Sequence, residues 1–350
     1  MYYNMSMKTL GSILLFSLFF RSDISALERS VSFDQISDLT ALPEKARAVP
    51  APVIGETADE TPGFCVFNGP SGSPLADAAA FKSVVGDGDA IYAGETHDQK
   101  KDHNAQLETL KALGEARGEK IVVGFEMLNL TLQPILDEYA AGTISEEEFL
   151  IKADWKKEWG FDFDLYKPLF DFVREHKLAA LALNLPRKVV SKIARVGLDG
   201  LSPEEKQYLP ARVEITQNEA YIAYLKESYD NHGKAHDPIL GGLKKGMDEF
   251  TFEHYLEAMC AWNEAMGARL ADFMNSNPGY AGMVVAGSGH IIYNAGIPAS
   301  VASRTAGLRP VSFYPADAAA CPAALPAEDS DLADYVWYIN HSTTTAGVLK

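Results

Sequence analysis

Five short apolar runs alternate along the chain with stretches whose apolar residues recur at helical spacing. The runs are DAIYAG at 89–94, KIVVGFEM at 120–127, LAALALNLP at 178–186, GMVVAGSG at 282–289 and RPVSFYP at 309–315. Runs of this length are typical of strands that are buried on both faces. Helical patterns lie between them, for example at 104–113, 131–141 and 188–196. The alternation predicts an α/β fold with a mainly parallel central sheet and helices on both of its faces.

The stretch between the third and fourth runs is unusually long, and its pattern is mainly helical. Residues 198–275 are polar and rich in tyrosine, and a flexible sequence, HGKAHDPILGGLKKG, interrupts them at 232–246. We interpret them as a helical insertion or lid within a single domain spanning 76–340. Helix starts are predicted where Ser145 precedes Glu148 and Ser202 precedes Glu205 by three residues, the spacing of a capping box. The aromatic run at 333–339 is expected to dock on this domain.

The N-terminal residues predict export. Lys8 precedes an apolar run at 10–20, and small residues follow it as far as Ala26, which is the pattern of a secretory signal. Cleavage near Ala26 would release a periplasmic or cell-surface protein, and the alternative is an uncleaved segment that anchors the chain in a membrane. Residues 27–75 are rich in Pro, Ala, Asp and Glu, which predicts a weakly ordered lead-in.

Charge and cysteine content narrow the function classes. The chain has 31 Lys and Arg against 48 Asp and Glu, a net charge of -17. This balance leaves no basic field for a phosphate backbone and argues against a nucleic-acid partner. Only three cysteines are present, so at most one disulfide forms, and their spacing does not suggest a metal knuckle.

Polar residues fall at the ends of four successive predicted strands. In an open α/β sheet, ligands bind beyond the carboxyl ends of the strands, where the loops converge. The residues at that point are Glu95 and His97 after the first run, Glu126 at the end of the second, Asn184 and Arg187 after the third, and Ser288 and His290 after the fourth. Each position alone has a structural explanation, such as a helix cap or a surface charge. Four consecutive strand ends together predict one polar site.

Two imidazoles and two carboxylates from this set support definite chemistry. Glu95, His97, Glu126 and His290 supply a general base, its orienting partner and a charge stabiliser, or His97, Glu126 and His290 ligate a divalent metal. His103 and Gln106 lie three apart on the following helix, where they would support the site from behind. The alternative for this pair is a solvated helix face.

Several segments also carry a family pattern in a fixed order. They are GETHDQKKDHNAQ, VGFEM, FLIKADWKKEWGFDFDLYKPLFDFVRE, LNLPRKVVSKIARVGL and GSGHIIYNAGIPASV. With these motifs the chain resembles the ChaN-like haem-binding uptake family, from about Asp89 to Ile339. Two departures stand out, because GETHDQKKDH has lysines where the family usually carries an Asn-Pro-type turn, and AMCAWNEAM has Asn263 where an aspartate is common.

The family is similar to a wider group that includes Tiki and TraB proteins and the erythromycin esterases. The group shares two G-x-x-H motifs, here Gly94 to His97 and Gly287 to His290, with intervening glutamates such as Glu126. It contains both metal-dependent peptidases and metal-free esterases. The resemblance therefore implies an EreA/ChaN-like fold with a hydrolase-like pocket.

Two functions from different classes follow from this resemblance. The first is haem binding in iron uptake, with the iron held by a His or a Tyr; Tyr166 and Tyr293 flank the matched motifs. The second is a hydrolase, an esterase or a metal-dependent peptidase. In it His97 is the base, Glu95 or Glu126 orients His97, and His290 stabilises the developing oxyanion or binds a metal. A binding protein with a decayed site is a third hypothesis. The expected ligand is haem or another small molecule, and a homodimer and a haem-transport partner are candidate assemblies.

Overall fold

The structure is a computed structural model that describes residues 64–235, 251–318 and 320–340. The predicted signal segment and most of the predicted lead-in lie outside the described residues. Within them, one sheet contains all the strands. These are β1 (Phe64–Asn68), β2 (Ala90–Glu95), β3 (Ile121–Asn129), β4 (Ala179–Asn184), β5 (Ala281–Gly287), β6 (Pro310–Ala318) and β7 (Tyr335–Asn340).

The sheet is mainly parallel, as the alternating pattern predicts. Its strand order is β1-β7-β6-β2-β5-β3-β4, and only β1 runs antiparallel to its neighbour, β7. The aromatic run at 333–339 contributes β7, which lies inside the sheet between β1 and β6. The prediction of docking therefore understated its role.

β1 falls inside the range 27–75 that composition predicted as weakly ordered. Its residues FCVFN pair with β7 and four of the five are buried. A disulfide between Cys65 and Cys321 joins this edge strand to the segment after β6. The described residues thus begin with a paired strand inside the stretch that composition assigned to the lead-in, because a five-residue strand is too short to change the composition of its surroundings.

Helices cover both faces of the sheet. They are α1 (Ala78–Asp87), α2 (Lys100–Arg117), α3 (Gln133–Ala140), α4 (Glu146–Lys152), α5 (Trp155–Glu158), α6 (Phe163–Glu175), α7 (Arg187–Val196), α8 (Pro203–Lys206), α9 (Glu219–Ala235), α10 (Phe252–Ser276) and α11 (Ile297–Ala302). Both predicted capping boxes are present, at the starts of α4 and α8.

The two faces of the sheet build separate cores. Along β2, Ile91 and Ala93 join the core under α1 to α6, and Ala90 and Tyr92 join the core under α7, α9, α10 and α11. Every residue of β2 is buried. This two-sided burial explains why the strands are continuous apolar runs without polar alternation.

The segment predicted as a helical insertion contains α8, α9 and α10, and residues 211–217 between α8 and α9 belong to no helix or strand. α10 packs against α7, β4 and α11, so it forms part of the core layer. The predicted flexible stretch at 232–246 begins within α9, and the rest of it lies outside the described residues. No helix in the described part is long and apolar enough to cross a membrane.

Candidate functional site

The four strands whose ends carry the predicted polar residues are neighbours in the sheet, in the order β2-β5-β3-β4. Because they are parallel, their carboxyl ends meet at one edge. Glu95, the last residue of β2, lies opposite Gly287, the last of β5. Glu95 and His97 are each 2% exposed, and Glu126 and His290 are 0% exposed. The predicted site is therefore an interior cluster.

Glu126 lies where the β3–β4 pairing is interrupted. The sequence pattern ends this strand near residue 127, but β3 continues to Asn129, and its register with β4 shifts between Phe125 and Asn129. Such bulges re-aim a side chain. The Asn184 amide also donates to the Glu126 carbonyl at 2.7 Å, across this irregularity. The Glu126 carboxylate meets the loop after β5, where it accepts the Gly287 N–H at 2.6 Å.

Four side chains surround the Glu95 carboxylate. Oε1 lies 2.8 Å from His97 Nδ1 and accepts from the Tyr166 hydroxyl at 3.0 Å. Oε2 accepts from Gln106 Nε2 at 3.0 Å and lies 3.2 Å from His103 Nδ1. Burial alone would raise the pKa of Glu95, but the charge of His103 and these hydrogen bonds hold it well below its usual range. Glu95 is thus an ionised and fully engaged carboxylate.

His103 faces acceptors on both ring nitrogens. Gln106 Nε2 donates to Ala93 O and to Glu95, so its amide oxygen is the atom 3.2 Å from His103 Nδ1. His103 Nε2 lies 3.1 Å from His97 O, a carbonyl that can only accept. Burial opposes the charged ring, yet the Glu95 charge raises the pKa of His103. His103 and Gln106 therefore support Glu95 from the helix behind it, and His103 is an imidazolium.

The residues around Glu95 form one half of the site. The second half lies around Glu126 and His290. Glu126 Oε1 lies 3.4 Å from His290 Nε2, outside hydrogen-bond geometry. The other nitrogen of His290, Nδ1, lies 2.7 Å from Asn263 Oδ1. Asn263 also donates from Nδ2 to the Tyr221 hydroxyl at 2.9 Å. Both Asn263 and Tyr221 are buried.

Three buried atoms at the meeting point of the two halves have no hydrogen-bond partner among the described residues. They are His97 Nε2, Glu126 Oε1 and His290 Nε2, which we call the polar centre. The centre lies beside Gly287: a Cβ there would approach His97 Cε1 to 2.8 Å and Glu126 Oε2 to 3.6 Å. Only glycine permits this approach. Buried polar groups are normally paired, so an unpaired trio marks a place for a ligand, a water or a shared proton.

The charge balance in the centre affects His97 directly. Burial disfavours its imidazolium form, but the hydrogen bond to Glu95 and the nearby Glu126 charge raise the pKa of His97 above its usual value. The divalent metal expected as an alternative finds no support, because no group of three or more His, Cys, Asp or Glu in the described residues is arranged to hold one.

An open pocket adjoins the polar centre at the ends of β3 and β4. Its walls include two tryptophans, and their rings pack edge-on against the two histidines, Trp159 on His97 and Trp262 on His290, each at 4.7 Å between ring centroids. Asn184 and Arg187, predicted as ligand-binding residues, both line this pocket. The structure thus places these two in the pocket and the Glu and His residues in the interior behind the tryptophans.

The remaining predicted residues take different positions. The Ser288 hydroxyl is buried and donates to the Glu95 carbonyl at 3.0 Å, which links the loops after β2 and β5. Tyr166 is fully buried, with its hydroxyl at Glu95. Tyr293 is half-buried and has a left-handed backbone, with φ of 59°. Non-glycine residues rarely adopt this conformation, which is enriched at functional sites.

Sequence reasoning missed Asn263, Tyr221 and the two pocket tryptophans. A signal for the α10 residues was present: Met259, Trp262, Asn263 and Met266 recur at helical spacing and are all buried. An asparagine on the apolar face of a helix needs a buried partner, and this requirement would have singled out Asn263.

The fold of this chain is similar to that of a solved structure of another protein. No curated protein matches the chain in sequence. Among solved structures, the one described as cofacial haem binding to ChaN of Campylobacter jejuni aligns with a TM-score of 0.57 and 19% identity, over 79% of this chain and 97% of that one. This likeness shows a shared fold.

Two further solved structures are more distant. A Bacillus cereus protein aligns with a TM-score of 0.41 and 13% identity, over 74% of this chain and 90% of that one. An erythromycin esterase in its open conformation aligns with a TM-score of 0.41 and 14% identity, over 69% of this chain and 74% of that one.

The family assignment comes from the sequence itself. The model of the family described as haem-binding uptake, Tiki superfamily, ChaN matches residues 83–301. This range runs from α1 to α11 and includes all four members of the interior Glu and His cluster, Glu95, His97, Glu126 and His290. The chain belongs to the ChaN haem-binding uptake family of the Tiki superfamily.

Proposed function

We propose that this chain binds haem and serves in haem or iron uptake. The observation that carries the proposal is its membership of the haem-binding uptake family over residues 83–301. Haem iron is commonly held by a His, Tyr, Cys or Met side chain, and the sequence offers Tyr166 and Tyr293. Of these, Tyr293 is the more accessible, because it is half-buried, whereas the Tyr166 hydroxyl is enclosed and donates to Glu95.

The surroundings of Tyr293 fit a ring ligand. Its side chain packs at the edge of the apolar core under α7, α9, α10 and α11, close to the loop that carries His290. No hydrogen bond to its hydroxyl is found among the described residues. Burial and the nearby Asp331 and Glu227 raise the pKa of Tyr293, so an iron ligand there would have to displace the phenolic proton.

Haemin titration tests this proposal. Purified protein should shift and saturate the haem Soret band at micromolar haemin, and Tyr293→Phe should weaken the binding at least tenfold. Tyr166→Phe is the matched control, since it removes a tyrosine hydroxyl that is buried. The absence of a saturable shift in the wild-type protein would refute haem binding, and equal weakening in both variants would refute the role of Tyr293.

The unpaired polar centre favours a second function, hydrolysis of an ester or amide. Two imidazole nitrogens and one carboxylate oxygen point to one place behind an open pocket, and such a set can move a proton and stabilise an oxyanion. Asn184 and Arg187 would contact the substrate in the pocket. In this function Glu95 orients His97 by accepting its Nδ1–H.

Hydrolysis of small chromogenic esters provides the test. His97→Ala and His290→Ala should each lower the rate by about 100-fold or more, the usual contribution of general acid–base catalysis. His176→Ala is the control, because His176 is exposed and lies outside the site. If all three variants retain the wild-type rate, any hydrolysis observed does not come from this centre.

We also propose that the chain is exported, in agreement with the predicted signal at 1–26. The disulfide between Cys65 and Cys321 supports this, because such bonds persist mainly in oxidising compartments. N-terminal sequencing of protein from the periplasmic fraction should begin near residue 27, whereas an anchored chain would stay with the membranes and keep its N-terminus. Sedimentation with and without haemin tests the predicted homodimer, and cross-linking tests the predicted transport partner.

A further inference from the structure

A directional chain of hydrogen bonds ends on His290. It starts at the Gly289 carbonyl, which can only accept, so the Tyr221 hydroxyl must donate to it, at 2.8 Å. The Tyr221 oxygen is then the acceptor for Asn263 Nδ2 at 2.9 Å. With its amino group used in this way, Asn263 presents its carbonyl oxygen to His290 Nδ1 at 2.7 Å. A carbonyl oxygen accepts only, so His290 Nδ1 carries a proton.

Both histidines of the polar centre therefore carry a proton on Nδ1, but the two Nδ1–H groups have different partners. His97 Nδ1 faces the charged carboxylate of Glu95, and His290 Nδ1 faces the neutral amide of Asn263. In both rings Nε2 is the nitrogen left for the centre. A carboxylate partner favours the imidazolium form of a histidine, whereas a neutral amide gives no comparable support.

The charges around the polar centre favour a further proton on one of its two histidines. Burial opposes the ionised form of Glu126, but the charges of His290 and His97 hold its pKa below the usual range, and the imidazolium of His103 lies beside Glu95 alone. The Glu126 charge therefore favours a further proton on a histidine of the centre, and His97, which also faces the Glu95 carboxylate, is the better supported of the two. The charged group that faces His290 is Glu126, at 3.4 Å from Nε2; Trp262 packs on its ring, and Glu264 beside Asn263 is paired with Arg304.

We propose that Asn263, oriented by Tyr221, is a positioning residue that keeps a proton on His290 Nδ1, leaves Nε2 to exchange a proton with the polar centre, and thereby divides the roles of the two histidines. His290 Nε2 is the proton acceptor of the centre, and His97 Nε2–H is its hydrogen-bond donor. The sequence-based hypothesis gave His97 the role of base and His290 that of stabiliser, so this inference reverses the assignment.

This assignment of roles rests on the second proposed function, ester hydrolysis, and gives each histidine a step in that reaction. In ester hydrolysis, His290 Nε2 takes a proton from water while the water oxygen bonds to the carbonyl carbon. His97 Nε2–H donates a hydrogen bond to the carbonyl oxygen as that oxygen becomes negative. When the intermediate collapses, the bond to the leaving alkoxide breaks and the alkoxide takes the proton from His290. The products are one acid and one alcohol, and His97 keeps its proton.

The tautomer is measurable without any ligand or activity. Protein with ¹⁵N-labelled histidine should show, at neutral pH, a His290 ring with protonated Nδ1 and bare Nε2, assigned by its absence in His290→Gln. Tyr221→Phe keeps the ring and deletes only the hydroxyl that orients Asn263, so we expect a mixture of both tautomers. If the Asn263 variants fold poorly, the spectra of the wild-type protein and of Tyr221→Phe still test the proposal.

Asn263→Asp places a carboxylate at Nδ1, so the ¹⁵N signals of His290 at neutral pH should move from those of a ring with a bare Nε2 towards those of a doubly protonated ring. Asn275→Asp is the matched control, because Asn275 is exposed on the same helix and adds the same charge away from His290. If hydrolysis occurs, Asn263→Asp should move the acidic limb of its pH–rate profile upward with KM little changed.

A wild-type His290 with its proton on Nε2 and a bare Nδ1 would overturn the proposal. An equal response of the His290 signal to Asn263→Asp and Asn275→Asp would overturn it as well. Because these spectra need neither substrate nor haem, a failure here is distinguishable from a failure of the proposed hydrolysis, which the ester assay alone decides.

Discussion

Glu95 and Glu126 are buried at neighbouring strand ends, yet their surroundings differ. Glu95 has four side chains at its two oxygens, drawn from the loop after β2, from α2 and from α6. Glu126 has one backbone N–H at Oε2, and its Oε1 has no hydrogen-bond partner among the described residues. The same residue type is thus saturated in one half of the site and open in the other.

This difference separates a carboxylate that supports the site, Glu95, from one that can take part in a reaction, Glu126. A saturated carboxylate is held in place and has no capacity left for a ligand, so Glu95 acts through His97, which it orients. An open oxygen next to two open imidazole nitrogens can bind, donate or accept during a reaction. The comparison predicts that the two carboxylates contribute unequally to folding, and the following changes test that inequality, from the largest expected effect to the smallest.

Glu95→Gln should destabilise the protein most. It removes the charge that compensates the His103 imidazolium, and removal of one partner of a buried pair typically costs about 3–5 kcal/mol. The free energy of unfolding from urea denaturation measures the effect. A decrease in the free energy of unfolding of less than about 1 kcal/mol would show that Glu95 does not stabilise its half of the site.

Asp102→Asn should stabilise the protein at alkaline pH. Burial raises the pKa of Asp102 from 3.8 to about 6, although its carboxylate accepts the Thr96 N–H at 2.7 Å. The folded state therefore binds this proton more tightly than the unfolded state, and the stability gained below pH 4 is lost as pH rises through about 6.

Above about pH 6 the wild-type protein contains a buried Asp102 carboxylate, and the neutral amide of the variant avoids the cost of burying that charge. The variant should be more stable by about 3 kcal/mol at pH 7.5, and the two proteins should converge near pH 4. Unfolding curves at both pH values check this. A constant difference across pH would show that Asp102 does not titrate in this range.

Ser288→Ala should have a smaller effect, a loss of about 1 kcal/mol. It deletes the hydroxyl that donates to the Glu95 carbonyl and joins the loops of the two halves. Haemin affinity should be unchanged, because the hydroxyl is buried and already donates to the Glu95 carbonyl. A selective loss of haem binding with intact stability would place Ser288 at the ligand.

Glu126→Gln should change stability least, by about 1 kcal/mol or less. The amide oxygen can still accept the Gly287 N–H, and the new amino group can donate to His290 Nε2. Any ester hydrolysis should nevertheless fall strongly, since the carboxylate charge is gone. A destabilisation equal to that of Glu95→Gln would remove the distinction between the halves.

Much of this fold was predictable because local pattern and parallel topology act together. Apolar runs marked the strands β2 to β6, and parallel strands have their carboxyl ends at one edge, so Glu95, His97, Glu126 and His290 were expected to converge there. The structure brings their side chains together in that way. The bulge at Glu126 and the strand β1 were not predictable, because each depends on pairing with a strand distant in sequence.

The sequence by itself determined the order of strands β2 to β6, the capping boxes, the family motifs and the residues at the sheet edge, since these depend on short-range pattern. Only the tertiary structure decided which carboxylate is saturated and which is open. That outcome depends on partners from elsewhere in the chain, with Tyr166 lying 71 residues from Glu95 and Asn263 lying 27 from His290. Hydrogen bonds form between atoms in space, so the protonation of a buried site is set by the packing of helices onto the sheet.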